Sequence, residues 1–384
     1  MEPAPAIGRR RFRPLSLKSG YTSVWTIADH RVMLEPVVAR PKPCLVALEA
    51  GRKYFWCSCG RSTNQPFCDG SHKGSGFAPR QFVAVQTDEA LLCCCKQTAT
   101  PPFCDGAHSN LDGGSPVDDP DSPENRRIRL VEERDGPRVP LNGGCYILSP
   151  ALVPQTRRGS LAWRTLASAE HGAVHQTQIL LEVRGGGSPV VSFRASEAIL
   201  LVLGGSGSVD ISGRKFAVKA TDGVSIRPNE AIRLTANGTA TLRVIAVASP
   251  IVELDWPSAL PENFDASLPQ RVAAVDEHSR VRMGSRYFQI LVDKRLGSRI
   301  ITQFIGHIPR SKAAPHRHLY EETLIVLSGN GCMWTEDRRA RVGAGDVIFL
   351  PRKQLHSLEA ISPEGMFVVG VICPGDNPRV NYYD

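Results

Sequence analysis

The stretch PHRHLYEETLIVLSGNG, residues 315–331, decides how the larger part of this chain is read. On an extended strand alternate residues share a face, so His316, His318 and Glu322 project together while Glu321 points the other way. Two imidazoles and a carboxylate on one face are a metal-ligating set. The run GDVIFLPRKQLH, residues 345–356, adds a fourth candidate, His356, from a neighbouring strand.

Around this stretch the chain is rich in Gly, Val and Ile in short alternating runs, which predicts a mainly β, mostly antiparallel fold. It also repeats. LLVLGGSGSVDISGRKFAVKATDGVSIRP, from Leu200, lies under LIVLSGNGCMWTEDRRARVGAGDVIFLP, from Leu324, so two similar β units in tandem are expected. The second unit resembles the cupin motifs HxH-x3-E-x6-G and G-x5-P-x-G-x2-H, with Glu322, Gly329, Gly345, Pro351 and His356 in place. Two turn positions depart from that pattern, Arg310 and Lys353, where the family usually has Gly. The resemblance implies a small β-barrel holding one divalent metal on His316, His318, Glu322 and His356, iron first, with Mn, Ni, Cu or Zn as alternatives. In the first unit the corresponding positions fall near Ser192, Arg194 and Arg233, which form no ligand set, so that barrel reads as degenerate. Tyr320 shares the ligands' parity and suits either the pocket wall or plain barrel core. His171 and His175 lie outside the motif, and His30, His278 and His307 read as ordinary residues.

The N-terminal third reads differently. CSCGRSTNQPFCDGSH, residues 57–72, superposes on CCCKQTATPPFCDGAH, residues 93–108, so Cys57, Cys59, Cys68 and His72 match Cys93, Cys95, Cys104 and His108. Three thiolates and one imidazole suit a Cys3His zinc or an iron-sulfur cluster. Structural zinc favours C-x2-C knuckles, whereas a close Cys-x-Cys pair suits one iron and leaves the later Cys and His for another. Both copies match the pattern C-x-C-x2-[ST]-x3-P-x-C-D-G-[SAT]-H and resemble the CDGSH iron-sulfur, or NEET, family in its monomeric two-cluster type. The resemblance implies two 2Fe-2S clusters, one on each set of four. An imidazole ligand makes such a cluster acid-labile, since the proton competes with iron for nitrogen. Cys94, between two of these positions, reads as a neighbour with no ligand role.

Seven of eleven cysteines crowd between Cys57 and Cys104, which fits metal binding in a reducing compartment better than a disulfide framework. Half of the net charge of +8 lies in the first twenty residues, so a nucleic-acid partner is not expected. No segment reaches transmembrane length, and the twin-arginine-like start lacks an apolar core. The chain reads as cytoplasmic, with organellar targeting by the Arg-rich start as the alternative. The segment SNLDGGSPVDDPDSPEN, residues 109–125, carries five acids and three prolines and reads as a solvated linker. The expected organisation is a basic tail 1–34, an iron-sulfur module 35–110, a linker 111–125, a degenerate cupin 126–250 and a metal-binding cupin 271–384, with 248–270 connecting the last two. Function follows as a redox protein whose clusters supply electrons to a cupin oxygenase centre, with transient docking across the linker. The alternative is a non-catalytic iron-sulfur carrier or sensor whose cupin binds a small-molecule regulator. A redox partner or cluster acceptor protein is implied in either case.

Overall fold

A computed structural model describes residues 35–111 and 116–383. The basic tail, with the Arg-rich start on which the targeting alternative turns and His30, lies outside the described residues. The described chain is strand-rich, with one short α-helix, Pro123–Arg126.

Each tandem β unit closes around its own apolar centre. In the first, a seven-stranded sheet containing Thr177–Val183, Glu197–Gly204 and Leu242–Ser249 faces a smaller sheet containing Ser206–Ile211 and Ala231–Ala236. Phe193, Ala198, Leu200, Val209 and Ile232 fill the space between them. In the second, an eight-stranded sheet containing Thr302–Ile308, Glu321–Ser328 and Met366–Cys373 faces a six-stranded one containing Asn330–Trp334 and Ser357–Ala360. The outer faces of the two large sheets pack on each other through Leu180, Ile199, Val247, Ile325, Phe349 and Val371.

Carboxylates clamp this interface from both sides. Glu321, on the outward parity, accepts from the backbone N–H groups of Val174 at 2.7 Å and Gln176 at 3.2 Å. Glu197 returns the arrangement, accepting from Arg299 N at 2.7 Å and Ile300 N at 3.1 Å. Buried N–H groups need such partners, and a charged acceptor supplies the stronger bond.

The sequence-based boundaries between these units are corrected. Val117–Asp118, inside the expected linker, pairs with Ser311–Ala313 of the second barrel. Arg129–Leu130, Arg138–Pro140 and Tyr146–Leu148, assigned to the first cupin, also join sheets of the second. In return Val272–Ala273, assigned to the second cupin, pairs with Gly223–Ile226 of the first, and Arg271 beside it makes a buried bidentate pair with Glu230 at 2.6 and 2.8 Å. The physical reason is charge as well as pairing. Asp118 is the partner of Lys312, whose ammonium is 2.5 Å away and which is only 2 % exposed.

The N-terminal module is built by a similar exchange. Cys44–Leu48 pairs with Asp88–Leu92, and Lys53–Trp56 pairs with Arg80–Val83, so each motif-bearing strand is completed by a strand of the other copy. The loops then coincide. Ser62 and Thr98 donate their hydroxyls to the carbonyls of Phe67 and Phe103 at 2.6 and 2.7 Å, while Cys57 N and Cys93 N donate to Pro66 O and Pro102 O at 2.9 Å. Each two-stranded sheet thus takes one strand from each copy.

Replacing Glu197 with alanine strands two N–H groups at the barrel interface, and the expected loss is roughly 1–3 kcal/mol, read as a lower denaturant midpoint for the barrels. Glu197→Gln, which keeps one acceptor, should lose less. An unchanged midpoint in Glu197→Ala would show that the clamp does not hold the barrels together.

Candidate metal centres

The four barrel candidates converge. Tyr320 precedes the strand Glu321–Ser328, whose alternation sends Glu322 inward and Glu321 to the other barrel, as the parity predicts. His316 and His356 are held opposite each other by reciprocal backbone hydrogen bonds of 3.0 Å. Ligand atoms of His318, Glu322 and His356 all lie within 4.8 Å of one another, and all three residues are buried. His316 stands at the edge of this group, its ring centroid 4.4 Å from that of His356 and 6.4 Å from that of His318.

Backbone carbonyls set the tautomers. The Nδ1 atoms of His316, His318 and His356 face the oxygens of Ala314, Tyr320 and Gln354 at 2.9, 3.1 and 2.8 Å. Each Nδ1–H is thereby committed as a donor, which leaves each Nε2 with its lone pair, the form that binds a metal. Burial keeps the His316 and His356 rings neutral, pushing His316 down to about 3 and His356 well below its ordinary value. The Nε2 of His318 is buried without an aligned hydrogen bond, although Glu322 Oε2 lies 3.0 Å away. That donor set fits a metal ion. Tyr320 proves to be both wall and core, stacked on His318 with centroids 4.0 Å apart and packed among the barrel's apolar residues. Among the described residues the first barrel shows no such group: Ala198 and Ile232 are fully buried among aliphatics, and Arg194 reaches Asp255 at 3.7 Å.

In the module the motif residues stand as two pairs per copy. Cys57 and Cys59 sulfurs are 3.7 Å apart and Cys93 and Cys95 sulfurs 3.4 Å. Cys68 Sγ lies 3.1 Å from His72 Nδ1, and Cys104 Sγ lies 3.4 Å from His108 Nδ1. Among the described residues the barrel group is the one set of three such ligand atoms within 4.8 Å, so neither copy gathers its four donors around one point. Two separated pairs suit the two irons of one cluster, one pair to each. Lys96 is buried beside both Cys-x-Cys pairs, its ammonium 2.9 Å from Cys93 O and 4.6 Å from the Trp56 ring centroid. Trp56 Nε1 donates to that same Cys93 O at 2.8 Å, tying the copies together. Cys94 is not a ligand but has a partner the sequence reading missed: it forms a disulfide with Cys44.

The two copies differ in what surrounds them. In the first, Cys68 and His72 are partly exposed. In the second, Cys104 is buried with Leu91 against Val380, Tyr382 and Leu319 of the barrel. Gly106, at φ 82°, sits so close to Arg379 that a Cβ would fall 2.4 Å from the Arg379 Cβ, whereas its equivalent Gly70 has open space. Tyr382 in turn exchanges backbone hydrogen bonds of 2.9 Å with Arg317, between the two histidines. Docking also explains one departure from the family motif. Lys353 keeps the left-handed backbone of the expected glycine, at φ 64°, and its ammonium pairs with Glu89 of the module. Its neighbour Arg352 reaches Asp88 at 3.6 Å and donates to Leu319 O at 2.6 Å. This salt-bridged seam seats the module on the barrel. No signal within the motif could have revealed it, because Asp88 and Glu89 lie outside the ligand pattern.

Comparison with known proteins finds matches in both parts of the chain. Residues 32–73 match the family described as iron-binding zinc finger CDGSH type, and residues 307–372 match the cupin domain family. The chain is 53% identical over 55 residues to the mitochondrial CDGSH iron-sulfur domain-containing protein 3 of Mus musculus, covering 14% of this chain and 40% of that protein. It is 44% identical over 84 residues to the Homo sapiens protein of that name, covering 21% and 64%. The chain thus spans less than two thirds of either relative. Among solved structures, the formate complex of Lactobacillus farciminis oxalate decarboxylase aligns with 60% of this chain and 86% of its own at 13% identity and TM-score 0.49. Escherichia coli Ylba aligns with 66% and 98% at 15% identity and TM-score 0.49. The chain therefore joins a CDGSH-type iron-sulfur domain to a cupin domain in one polypeptide.

Proposed function

We propose that this protein is an electron-transfer unit fused to its own acceptor. Two 2Fe-2S clusters, on Cys57, Cys59, Cys68 and His72 and on Cys93, Cys95, Cys104 and His108, serve an oxygenase-type metal centre on His316, His318, Glu322 and His356. The observation that carries this reading is the seam: Cys104 packs on Tyr382 and Leu319, and Tyr382 is bonded to the backbone between His316 and His318. Bound there, the clusters supply one-electron transfer and the barrel ion, iron in this reading, a redox-active site.

The chain's own residues give the arrangement a direction. Partly exposed Cys68 and His72 offer an entry face to a soluble redox partner, while buried Cys104 and His108 face the barrel. Lys96 places a cation beside both thiolate pairs, offsetting negative charge that two adjacent clusters would share. Glu89 with Lys353 and Asp88 with Arg352 hold the module in register over the histidine-bearing segment. A linker that merely kept the halves nearby would need none of these pairs.

Natively expressed protein should contain about four irons and four acid-labile sulfides in its module, two of each per cluster, plus one further metal. His316→Ala with His318→Ala should remove that further metal alone. Stoichiometric zinc without sulfide would overturn the cluster assignment, and retention of the extra metal would overturn the barrel assignment.

The coupling is tested by reducing the clusters anaerobically, adding oxygen and following their absorbance by stopped flow. Reoxidation should be faster in the intact chain than in the His316→Ala, His318→Ala protein, and Lys353→Glu should slow it by opposing Glu89. Equal rates in all three would remove electron supply as the reason for the fusion and favour the carrier or sensor reading.

A further inference from the structure

The barrel cavity holds one charge that the metal ligands do not explain. It measures about 110 Å³ and is lined by His316, His318, Glu322 and His356 at one side and by apolar side chains such as Phe304, Leu324 and Met333 elsewhere. Arg286, the first residue of the strand Arg286–Val292, lines it too. Its guanidinium makes a single long contact, Nη2 to Leu358 O at 3.4 Å, and no ion pair among the described residues. Arg286 is half-buried in the cavity wall; the fully buried cations of the barrels, by contrast, are matched: Arg271 has Glu230 and Lys312 has Asp118. Burial lowers the Arg286 pKa to about 10, which leaves it charged at neutral pH, close enough for its charge to act on His316 and Tyr383.

A cation drawn out of water without a counter-charge is costly, and a planar guanidinium is relieved best by a planar, two-oxygen anion. Glu322, in the same cavity, does not play that part, since its Oε2 lies at 3.0 Å from His318 Nε2. One guanidinium facing one carboxylate-bearing metal set also disfavours a dianion such as phosphate. The space is smaller than the ~150 Å³ apolar cavity that accommodates benzene, so the remainder of the ligand is short.

We infer that the C-terminal barrel binds a small monocarboxylate, its carboxylate paired with Arg286 and its short apolar body against Phe304, Leu324 and Met333. The inference rests on the reading of this barrel as a metal centre and names the substrate class for it.

Calorimetry on the full-length, metal-loaded protein, with 2-methylpropanoate and its neutral isostere 2-methylpropanamide as probes, tests the pairing. The carboxylate should bind about tenfold or more tightly than the amide, the range of a charge-assisted hydrogen bond. Arg286→Met should bring the two probes to near-equal affinity without changing the metal content, and Arg286→Lys should keep part of the preference. Equal binding of the two probes to the wild-type protein, no detectable binding of the carboxylate at millimolar concentration, or an undiminished preference in Arg286→Met overturns the inference. Repeating the titration after chelation separates the two claims. A carboxylate preference that survives in metal-free protein and vanishes in Arg286→Met supports Arg286 even if the barrel metal proves absent. A preference that disappears with the metal and persists in Arg286→Met assigns recognition to the metal and removes Arg286.

Discussion

The contact on which this arrangement depends is the seating of the second CDGSH copy on the barrel segment that carries His316 and His318. Cys104 and Leu91 supply its apolar part with Val380, Tyr382 and Leu319. Asp88 and Glu89 supply its charged part with Arg352 and Lys353. The loop of Arg352 and Lys353 also bears His356, and Lys353 N donates to His318 O at 2.9 Å, so the backbone that positions the metal ligands is the backbone that receives the module. A surface ion pair alone is worth little, but here the pairs border a buried apolar contact that fixes their geometry. Lys353 shows the balance of forces most clearly. A non-glycine residue at φ 64° is disfavoured locally, and the pair with Glu89 is what a glycine there could not make.

Strand exchange is the second constraint, and it operates at both scales. Within the module each motif strand is completed by the other copy; within the barrels short segments cross in both directions, Val117–Asp118 and Tyr146–Leu148 one way and Val272–Ala273 the other. Exchange makes the parts interdependent, because an edge strand left without its partner would expose unpaired backbone. The reciprocal Glu197 and Glu321 clamps act in the same sense, each satisfying backbone N–H groups that belong to the opposite barrel. Two tandem cupins, one without ligands, are then not redundant: the ligand-free barrel supplies the wall against which the metal-bearing sheet is held.

What could be read from the sequence follows from range. The opposite facing of Glu321 and Glu322 and the pairing of Cys57 with Cys59 and Cys68 with His72 are set by spacing within one strand or loop, where periodicity suffices, whereas His356 was reached through the resemblance to the cupin motif. The boundaries were not readable because they depend on partners far along the chain. Asp118 looks like one acid among several in a Pro-containing run until Lys312 is seen beside it. The pairing of Cys94 with Cys44 and the place of Lys353 against Glu89 are non-local in the same way. Arg286 was missed for a different reason: a single arginine at a strand start carries no pattern, and only its position in the cavity without a carboxylate partner marks it.

The asymmetry between the two copies follows from these contacts rather than from their motifs, which are nearly the same. Gly70 and Gly106 have matching conformations, at φ 97° and 82°, yet only Gly106 meets another part of the chain. His108 is accordingly 8 % exposed, whereas His72 remains partly open to solvent. Two like sites placed in unlike surroundings differ in dielectric and in access to solvent, which are the levers a protein has over cluster potential and lability once the ligands are fixed. Lys96 and Trp56, meeting on Cys93 O, lie where the two sites adjoin and so bear on both at once. A pair of equivalent motifs thereby becomes an ordered pair, one facing solvent and one facing the barrel, without any change to the residues that would hold the metal.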